Sequence, residues 1–264
     1  MDSFKLSYSD LKDIDINAVN KFIEDTHIIL SQTCNLLDLG CGVGTITALL
    51  CDKYPNISKI NGLDNSIVQL TTAASIHCPK RSNLEFIFDD IMNLGKLKNI
   101  FDVIFSYLTF NKVTDQVKVL QGCYNNLAHN GHLLFCVIGY SNTDINIISE
   151  ELIKKEPWST LGLRSNRSYY TVDDYIVMSE KIGFKSNVKL NETKIIYKSL
   201  QEIKNTIKII SPYYKHIKDL NKQEDFLNAI IQILLENAIE TKSNDNETEY
   251  ILRTTKISCI LFKP

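Results

Sequence analysis

The chain has 264 residues, enough for one large domain or one domain with a substantial insertion, and its 44% hydrophobic and 23% charged residues are ordinary for a soluble globular protein. A net charge of −2 gives no electrostatic case for nucleic acid or an anionic membrane surface. No apolar run reaches the roughly 20 residues of a membrane span, and the opening Met1-Asp2-Ser3-Phe4-Lys5 lacks the form of a signal peptide, so a cytoplasmic protein is expected.

Apolar residues at Val19, Phe22, Ile23, Ile28 and Ile29 predict an amphipathic helix over Asn17–Leu30. Leu36–Leu39 reads as a first strand and Gly44–Lys53 as the helix after it, stopped by Tyr54-Pro55-Asn56. A second strand over Ile57–Leu63 ends at Asp64, and Ser66 caps a helix running to His77. Leu84–Phe88 and Phe101–Phe105 are the third and fourth strands, ending at Asp89-Asp90 and at Ser106. A helix over Thr114–Leu127 is closed by His129-Asn130-Gly131, and the continuously apolar Leu133–Ile138 is a fifth strand buried on both faces. Strands alternating with helices in this way predict a parallel, doubly wound α/β sheet.

Beyond Tyr140 the rhythm changes. Residues 142–170 read as a polar helix broken at Pro157-Trp158, then a loop with Arg164 and Arg167. Thr171-Val172-Asp173-Asp174 is a capping box opening a helix that stops at Gly183. Phe184–Lys198 is β-rich, residues 200–210 are helical up to Pro212, and Gln223–Thr241 is a long amphipathic helix. Lys242–Thr248 reads as a polar loop and Tyr250–Phe262 as the last strand. Seven cysteines scatter along the chain with no Cys-x-x-Cys pair and no histidine at ligand spacing, so reduced thiols are expected rather than a disulfide frame or a metal site.

The chemistry gathers where the first strands end. Asp38-x-Gly40-x-Gly42-x-Gly44 follows the first strand, with Cys41 inside the loop; its glycines permit positive φ and close approach of a ligand, and the following helix offers open amides. Asp64-Asn65 follows the second strand and Asp89-Asp90-Ile91 the third. An acid about 20 residues beyond a glycine loop is placed for ribose hydroxyls, and Asp64 stands 20 beyond Gly44. Thr45, where the nicotinamide fingerprint needs its third glycine, and the lack of a Gly-Lys-Ser/Thr ending argue against pyrophosphate binding, as does the crowd of acids. A cationic, nucleoside-bearing ligand fits, and S-adenosylmethionine meets both requirements.

On these residues, from about 35 to 138, the chain resembles the class I S-adenosylmethionine-dependent methyltransferases. The resemblance implies a Rossmann-like, doubly wound, mostly parallel seven-stranded sheet with helices on both faces and a helical insertion, or lid, after the fifth strand. It implies a single domain over 1–264, with an N-terminal helical segment at 1–30, a cofactor half at 35–138, an acceptor region at 140–215, and a C-terminal helix and strand at 216–264. Asp38, Gly40, Cys41, Gly42 and Gly44 would hold the methionine part, Asp64 and Asn65 the ribose, and Asp90 with Ile91 the adenine. Ser106 and Tyr107 would flank the methionine end. Tyr8-x-x-Leu11 and Ile210-Ser211-Pro212-Tyr213 narrow the likeness to the trans-aconitate and juvenile hormone acid methyltransferase group, whose acceptors are small carboxylic acids.

The group's Leu-His-Trp-Val after the fourth strand is replaced by Phe110-Asn111-Lys112-Val113, and its N-terminal glutamine by Lys12. Tyr8, Lys12, Phe110, Lys112, Trp158 and Tyr169 are therefore candidate acceptor contacts, the two lysines as partners for an anion and otherwise as solvated surface residues. A carboxylate acceptor is already ionised near pH 7 and needs no general base, which suits five histidines in no recognisable dyad; no catalytic residue is singled out. Other readings are methylation of a carrier-bound malonyl group, another small-molecule O- or N-methyltransferase, and a silent binding protein of the same fold. Ser106-Tyr107-Leu108-Thr109, standing where amino-directed nucleic-acid enzymes carry Asn/Asp-Pro-Pro-Tyr/Phe, argues against nucleic acid. The oligomeric state is left open.

Overall fold

A computed structural model of the chain describes residues 12–97, 100–165, 167–242 and 248–264. By contacts the chain divides into two compact units. The first, the sheet unit, comprises residues 19–138, 166–190 and 257–264; the second holds the residues up to 18 together with 139–165 and 191–256.

The N-terminal helices α1 (Lys12–Asp25) and α2 (His27–Ser31) lead into β1 (Asn35–Leu39), α3 (Thr45–Lys53), β2 (Lys59–Asp64), α4 (Ile67–His77) and β3 (Leu84–Phe88). Then come β4 (Phe101–Tyr107), α5 (Gln116–Asn126), β5 (Leu127–Ile138), α6 (Ile145–Leu152), α7 (Val172–Ile182) and β6 (Lys185–Tyr197). The chain closes with α8 (Leu200–Ile210), α9 (Leu220–Glu236), β7 (Ile239–Lys242) and β8 (Thr248–Phe262). The sheet runs β3-β2-β1-β4-β5-β8-β6, and β1 to β5 are parallel. Backbone bonds joining Asn130 and Gly131 to Lys263, and Gly139 to Thr255, run β8 antiparallel to β5. This is the expected mostly parallel, doubly wound sheet.

Alternation along each strand sorts side chains onto two buried faces. Leu37, Leu39, Ile104, Leu133 and Phe135 pack on one face with α5 and α7 residues such as Val119 and Tyr175. Leu36, Val103, Phe105, Leu134 and Cys136 pack on the other with α1 and α3 residues such as Phe22 and Leu50. Each fully buried large apolar side chain contributes about 1.5–3 kcal/mol relative to exposure. Caps fix the helix starts: Ser66 accepts from Gln69 at α4, Asp115 from Lys118 at α5, and Thr171 with Asp174 forms the anticipated capping box at α7.

The single helix expected over Asn17–Leu30 is divided into α1 and α2, and two later boundaries also differ from the sequence reading. The His129-Asn130-Gly131 signal lies inside β5, which already begins at Leu127. Phe101 pairs with Leu127 and Val103 with His132, so the extra residues form a bulge, with Asn130 at φ 65°. The last long helix stops at Glu236, capped by Asn237, and Ile239–Lys242 is a strand paired antiparallel with Thr248–Ile251 of β8. The apolar Ala238 and Ile239 continue the helical period in sequence and so conceal the break.

The second unit has its own core, in which α6, α8 and α9 bury Ile148, Ile203, Ile207, Phe226, Ile230 and Leu234. Ser149 and Ser211 share a hydroxyl bond of 2.9 Å, and the Tyr213 hydroxyl donates to Glu150 at 2.7 Å within that interior. No helix among the described residues is long and apolar enough to cross a membrane.

Candidate active site

The predicted donor-site residues lie at the carboxyl ends of β1, β2, β3 and β4. After β1 the glycine loop turns into α3 with Gly40, Gly42 and Gly44 at φ of 70°, 56° and 74°, the left-handed region that side chains disfavour. Space forbids side chains as well. A Cβ on Gly40 would collide with Thr109, and one on Gly44 would lie 2.6 Å from the Phe86 ring.

Backbone bonds hold the loop in place. The Gly40 and Cys41 amides donate to the Leu63 carbonyl at 2.7 and 3.1 Å, anchoring the loop to β2. The Gly42 amide donates to Asp64 Oδ2 at 2.9 Å, and the Ser66 amide donates to Asp64 Oδ1 at 2.8 Å. Asp64 is thereby fixed before any ligand arrives, and each oxygen keeps a further lone pair for an incoming hydroxyl. The first-turn amides of α3 have no acceptor within their own helix and face the loop's end of the sheet.

Asp38 is buried, 3% exposed, and accepts from the Thr47 hydroxyl at 2.7 Å. Burial, and to a smaller degree the charge of Asp64, pushes its carboxyl up to about 7, with the Thr47 bond opposing. Burial followed by the charges of Asp38 and Asp64 also pushes the Cys41 thiol up, so it stays protonated. The loop thus presents a neutral thiol and a carboxyl poised near neutrality.

At the end of β3, Asp90 accepts from the Met92 amide at 2.8 Å and opens a short 3-10 turn over Ile91–Lys96, with Ile91 packed against the core. Its neighbour Asp89 accepts from the Asp90 amide and from Asn93. Asn65 is exposed beside Asp64. The structure brings the predicted donor-site acids together on three adjacent strand ends.

The remaining predicted residues are placed differently from one another. The Ser106 hydroxyl is fully buried and donates to the Leu39 carbonyl at 2.9 Å, so it ties β4 to β1. Tyr107 lies in the core beside Phe22, the rings 6.3 Å apart. Phe110 is fully buried and stacks on Phe135 at 4.4 Å, and Trp158 packs edge-on against Phe226 at 5.3 Å inside the second unit. Phe110 and Trp158, expected as acceptor contacts, and Ser106 and Tyr107, expected beside the methionine end, are thus all packed in the protein interior. Tyr8 lies outside the described residues; Lys12 opens α1, but its side chain is likewise outside them. Tyr169 is half-buried with its hydroxyl turned from solvent.

Lys112 follows the end of β4. It lies on a 3-10 turn, Phe110–Lys112, three residues after Thr109, the side chain that abuts Gly40. The residue is exposed, yet loss of hydration, with the Arg167 charge second, holds its amine below the usual lysine value. Asp64 pulls the opposite way.

Sequence reasoning passed over the polar clamp behind Lys112. Asn111, fully buried, accepts from the Ile138 amide at 2.7 Å and donates to the Ile138 and Ser168 carbonyls, each at 3.3 Å. The Ser168 amide donates to the Asn111 carbonyl at 2.9 Å. Gln116 bonds the Phe110 carbonyl at 2.8 Å and accepts from the Tyr175 hydroxyl at 2.8 Å. A polar Asn-Lys inside an apolar stretch was the available signal, but its partner lies 57 residues away.

A family model described as a methyltransferase domain matches residues 30–208, more than half of the chain. The chain is 34% identical over 147 residues to malonyl-[acyl-carrier protein] O-methyltransferase 1 of Ilyobacter polytropus, covering 56% of this chain and 52% of that protein. It is 26% identical over 226 residues to juvenile hormone acid O-methyltransferase of Bombyx mori, covering 82% and 79%. It thus spans about half the length of the first relative and about four fifths of the second. Among solved structures, phosphoethanolamine N-methyltransferase 2 of Haemonchus contortus, in complex with S-adenosyl-L-methionine, shares the fold with a TM-score of 0.55 at 15% identity, covering all of this chain and 61% of that one. By its family match and its fold, the chain belongs to the methyltransferase domain family.

Proposed function

We propose that the chain is an S-adenosylmethionine-dependent methyltransferase that esterifies a carboxylate of a small acid. The observation that carries the donor half is the rigid pairing of the glycine loop with Asp64, flanked by Asp38 and Asp90. Asp64 has the fixed geometry to accept two ribose hydroxyls, and Asp90 to accept an adenine amine through its second oxygen. Asp38, in its ionised form, complements an ammonium group beside the glycines.

When bound, the cofactor supplies a methyl group on a sulfonium sulfur, and the acceptor oxygen takes that methyl with its own electron pair while the sulfur keeps the pair of the broken bond. No proton moves, so the protein has to align the acceptor and exclude water rather than act as a base; alignment alone supplies several kcal/mol, about 7–11 at best. That requirement suits a site whose described titratable groups are acids and a lysine rather than a histidine dyad. The names of the two relatives, one of a malonyl carrier and one of a hormone acid, support a carboxylate acceptor. The test is incubation with labelled S-adenosylmethionine and a panel of organic acids. Base-labile methyl label on an acid is the expected result; label on RNA and on no acid would overturn the reading.

A further inference from the structure

We propose that Gln69 binds the cofactor: its side-chain amide donates to a ribose hydroxyl oxygen, so that Asp64 and Gln69 read the sugar together and select a ribonucleoside. The inference rests on the cofactor half of the methyltransferase reading above and adds a residue to that site.

The first turn of α4 explains why this side chain is available. Ser66-Ile67-Val68-Gln69 is a capping-box sequence, in which the residue at the third helical position reaches back to the amide of the cap. Half of the box is made, since the Ser66 hydroxyl accepts from the Gln69 amide at 3.4 Å. The other half is taken by Asp64, whose Oδ1 accepts the Ser66 amide at 2.8 Å. At α7 the same position closes its box, Asp174 accepting from the Thr171 amide at 2.8 Å. Gln69 is released from that duty, and among the described residues its side-chain amide makes no hydrogen bond.

The released side chain lies on the glycine loop. Its Oε1 stands 2.8 Å from the place a Cβ would take on Gly42 and its Cδ 4.0 Å, with the amide nitrogen farther off. The Gly42 amide in turn donates to Asp64 Oδ2 at 2.9 Å. One glycine of the loop is thus touched by both side chains, and Gln69 is exposed where they meet.

The chemistry asks for such a pair. A hydroxyl both donates and accepts, whereas a carboxylate only accepts. Asp64 takes the hydrogen of a ribose hydroxyl and leaves its oxygen lone pairs to be matched. The Gly42 and Ser66 amides are already given to Asp64, and the next strand ends in Asp89 and Asp90. The side-chain amide of Gln69 supplies N–H groups at that spot without adding charge. A deoxy sugar forfeits the bond, and a site built to bond a hydroxyl rejects the analogue that lacks it.

The test is calorimetric titration of wild type, Gln69→Met and Gln69→Glu with S-adenosylhomocysteine and with its 2′-deoxy and 3′-deoxy forms. Methionine keeps the length of the side chain and has no N–H; glutamate keeps its shape and offers acceptors beside Asp64. The position is exposed, so both variants should unfold at the wild-type temperature. Gln69→Met should weaken S-adenosylhomocysteine about fivefold, and Gln69→Glu should weaken it further. One of the two deoxy forms should bind the wild type more weakly and lose nothing more in Gln69→Met. Unchanged S-adenosylhomocysteine affinity in Gln69→Met, or an equal loss with all three ligands, would overturn the assignment of Gln69 to the sugar while leaving the cofactor site standing. Failure of S-adenosylhomocysteine to bind the wild type would instead overturn the methyltransferase reading itself.

Discussion

The Asp64 carboxylate, at the end of β2, accepts the amide of Gly42 at 2.9 Å, so the loop after one strand is locked by the acid after its neighbour. The lock depends on a backbone that only glycine tolerates. Gly42 sits at φ 56°, and a Cβ there would lie 2.8 Å from Gln69 Oε1, the movable end of a flexible side chain. Gly42→Ala therefore costs mainly the left-handed conformation, about 1–2 kcal/mol. Gly44→Ala costs more, because its Cβ meets the Phe86 ring at 2.6 Å and Ala73 at 3.1 Å in a packed wall; overpacking adds about 1–3 kcal/mol. Thermal unfolding should place Gly44→Ala several degrees below Gly42→Ala, and the reverse order would contradict this reading.

Asp38 makes donor binding depend on pH. Its carboxyl titrates near 7 because burial, and less so Asp64, disfavours the charge. A bound ammonium favours the ionised form, so affinity for S-adenosylhomocysteine should rise about tenfold from pH 6 to pH 8, and in Asp38→Asn it should be nearly flat. The free protein should show the opposite trend. The folded value lies above the ordinary 3.8, so this group's contribution to stability is full below about pH 4 and is lost as pH rises through 7. Calorimetry across that range checks both signs.

The clamp behind Lys112 predicts a split between neighbouring residues. Asn111 is buried and satisfies the Ile138 backbone on β5 and the Ser168 carbonyl; Asn111→Ala strands them and should cost about 2–4 kcal/mol in urea unfolding. Lys112→Met, at an exposed position, should change stability by less than about 0.5 kcal/mol. Equal losses at the two positions would refute the division between a structural residue and an exposed one.

Phe110 and Trp158 should behave as core. Phe110→Ala removes a ring stacked on Phe135, and Trp158→Ala one packed against Phe226. Each should cost about 3–5 kcal/mol. If Phe110→Ala is neutral in unfolding and instead changes only acceptor affinity, its assignment to the core is wrong.

These residues also mark where the sequence was readable. The strand, glycine loop and helix at Leu36–Lys53 and the acids at 64 and 90 are local patterns, each set by a few consecutive residues, and the parallel, doubly wound sheet follows from the alternation of strands with helices. Boundaries were lost where one signal imitated another. Asn130-Gly131 looks like a turn and is a bulge inside β5, and Ala238-Ile239 keeps the helical period beyond the end of α9. The acceptor side was least legible. An aromatic in a loop-like stretch reads the same whether it faces a ligand or a core, and Phe110 and Trp158 pack in cores. The Asn111–Ser168 contact joins segments 57 residues apart, and no local pattern announces it.

The most direct measurement of the central claim is calorimetric titration of the wild-type chain and Asp64→Ala with S-adenosylhomocysteine at pH 8. The account predicts one site per chain in the wild type and at least a tenfold weaker one in Asp64→Ala, because the substitution removes both the ribose acceptor and the anchor of the Gly42 amide. Absence of binding to the wild type, or equal affinity in the two proteins, would contradict it.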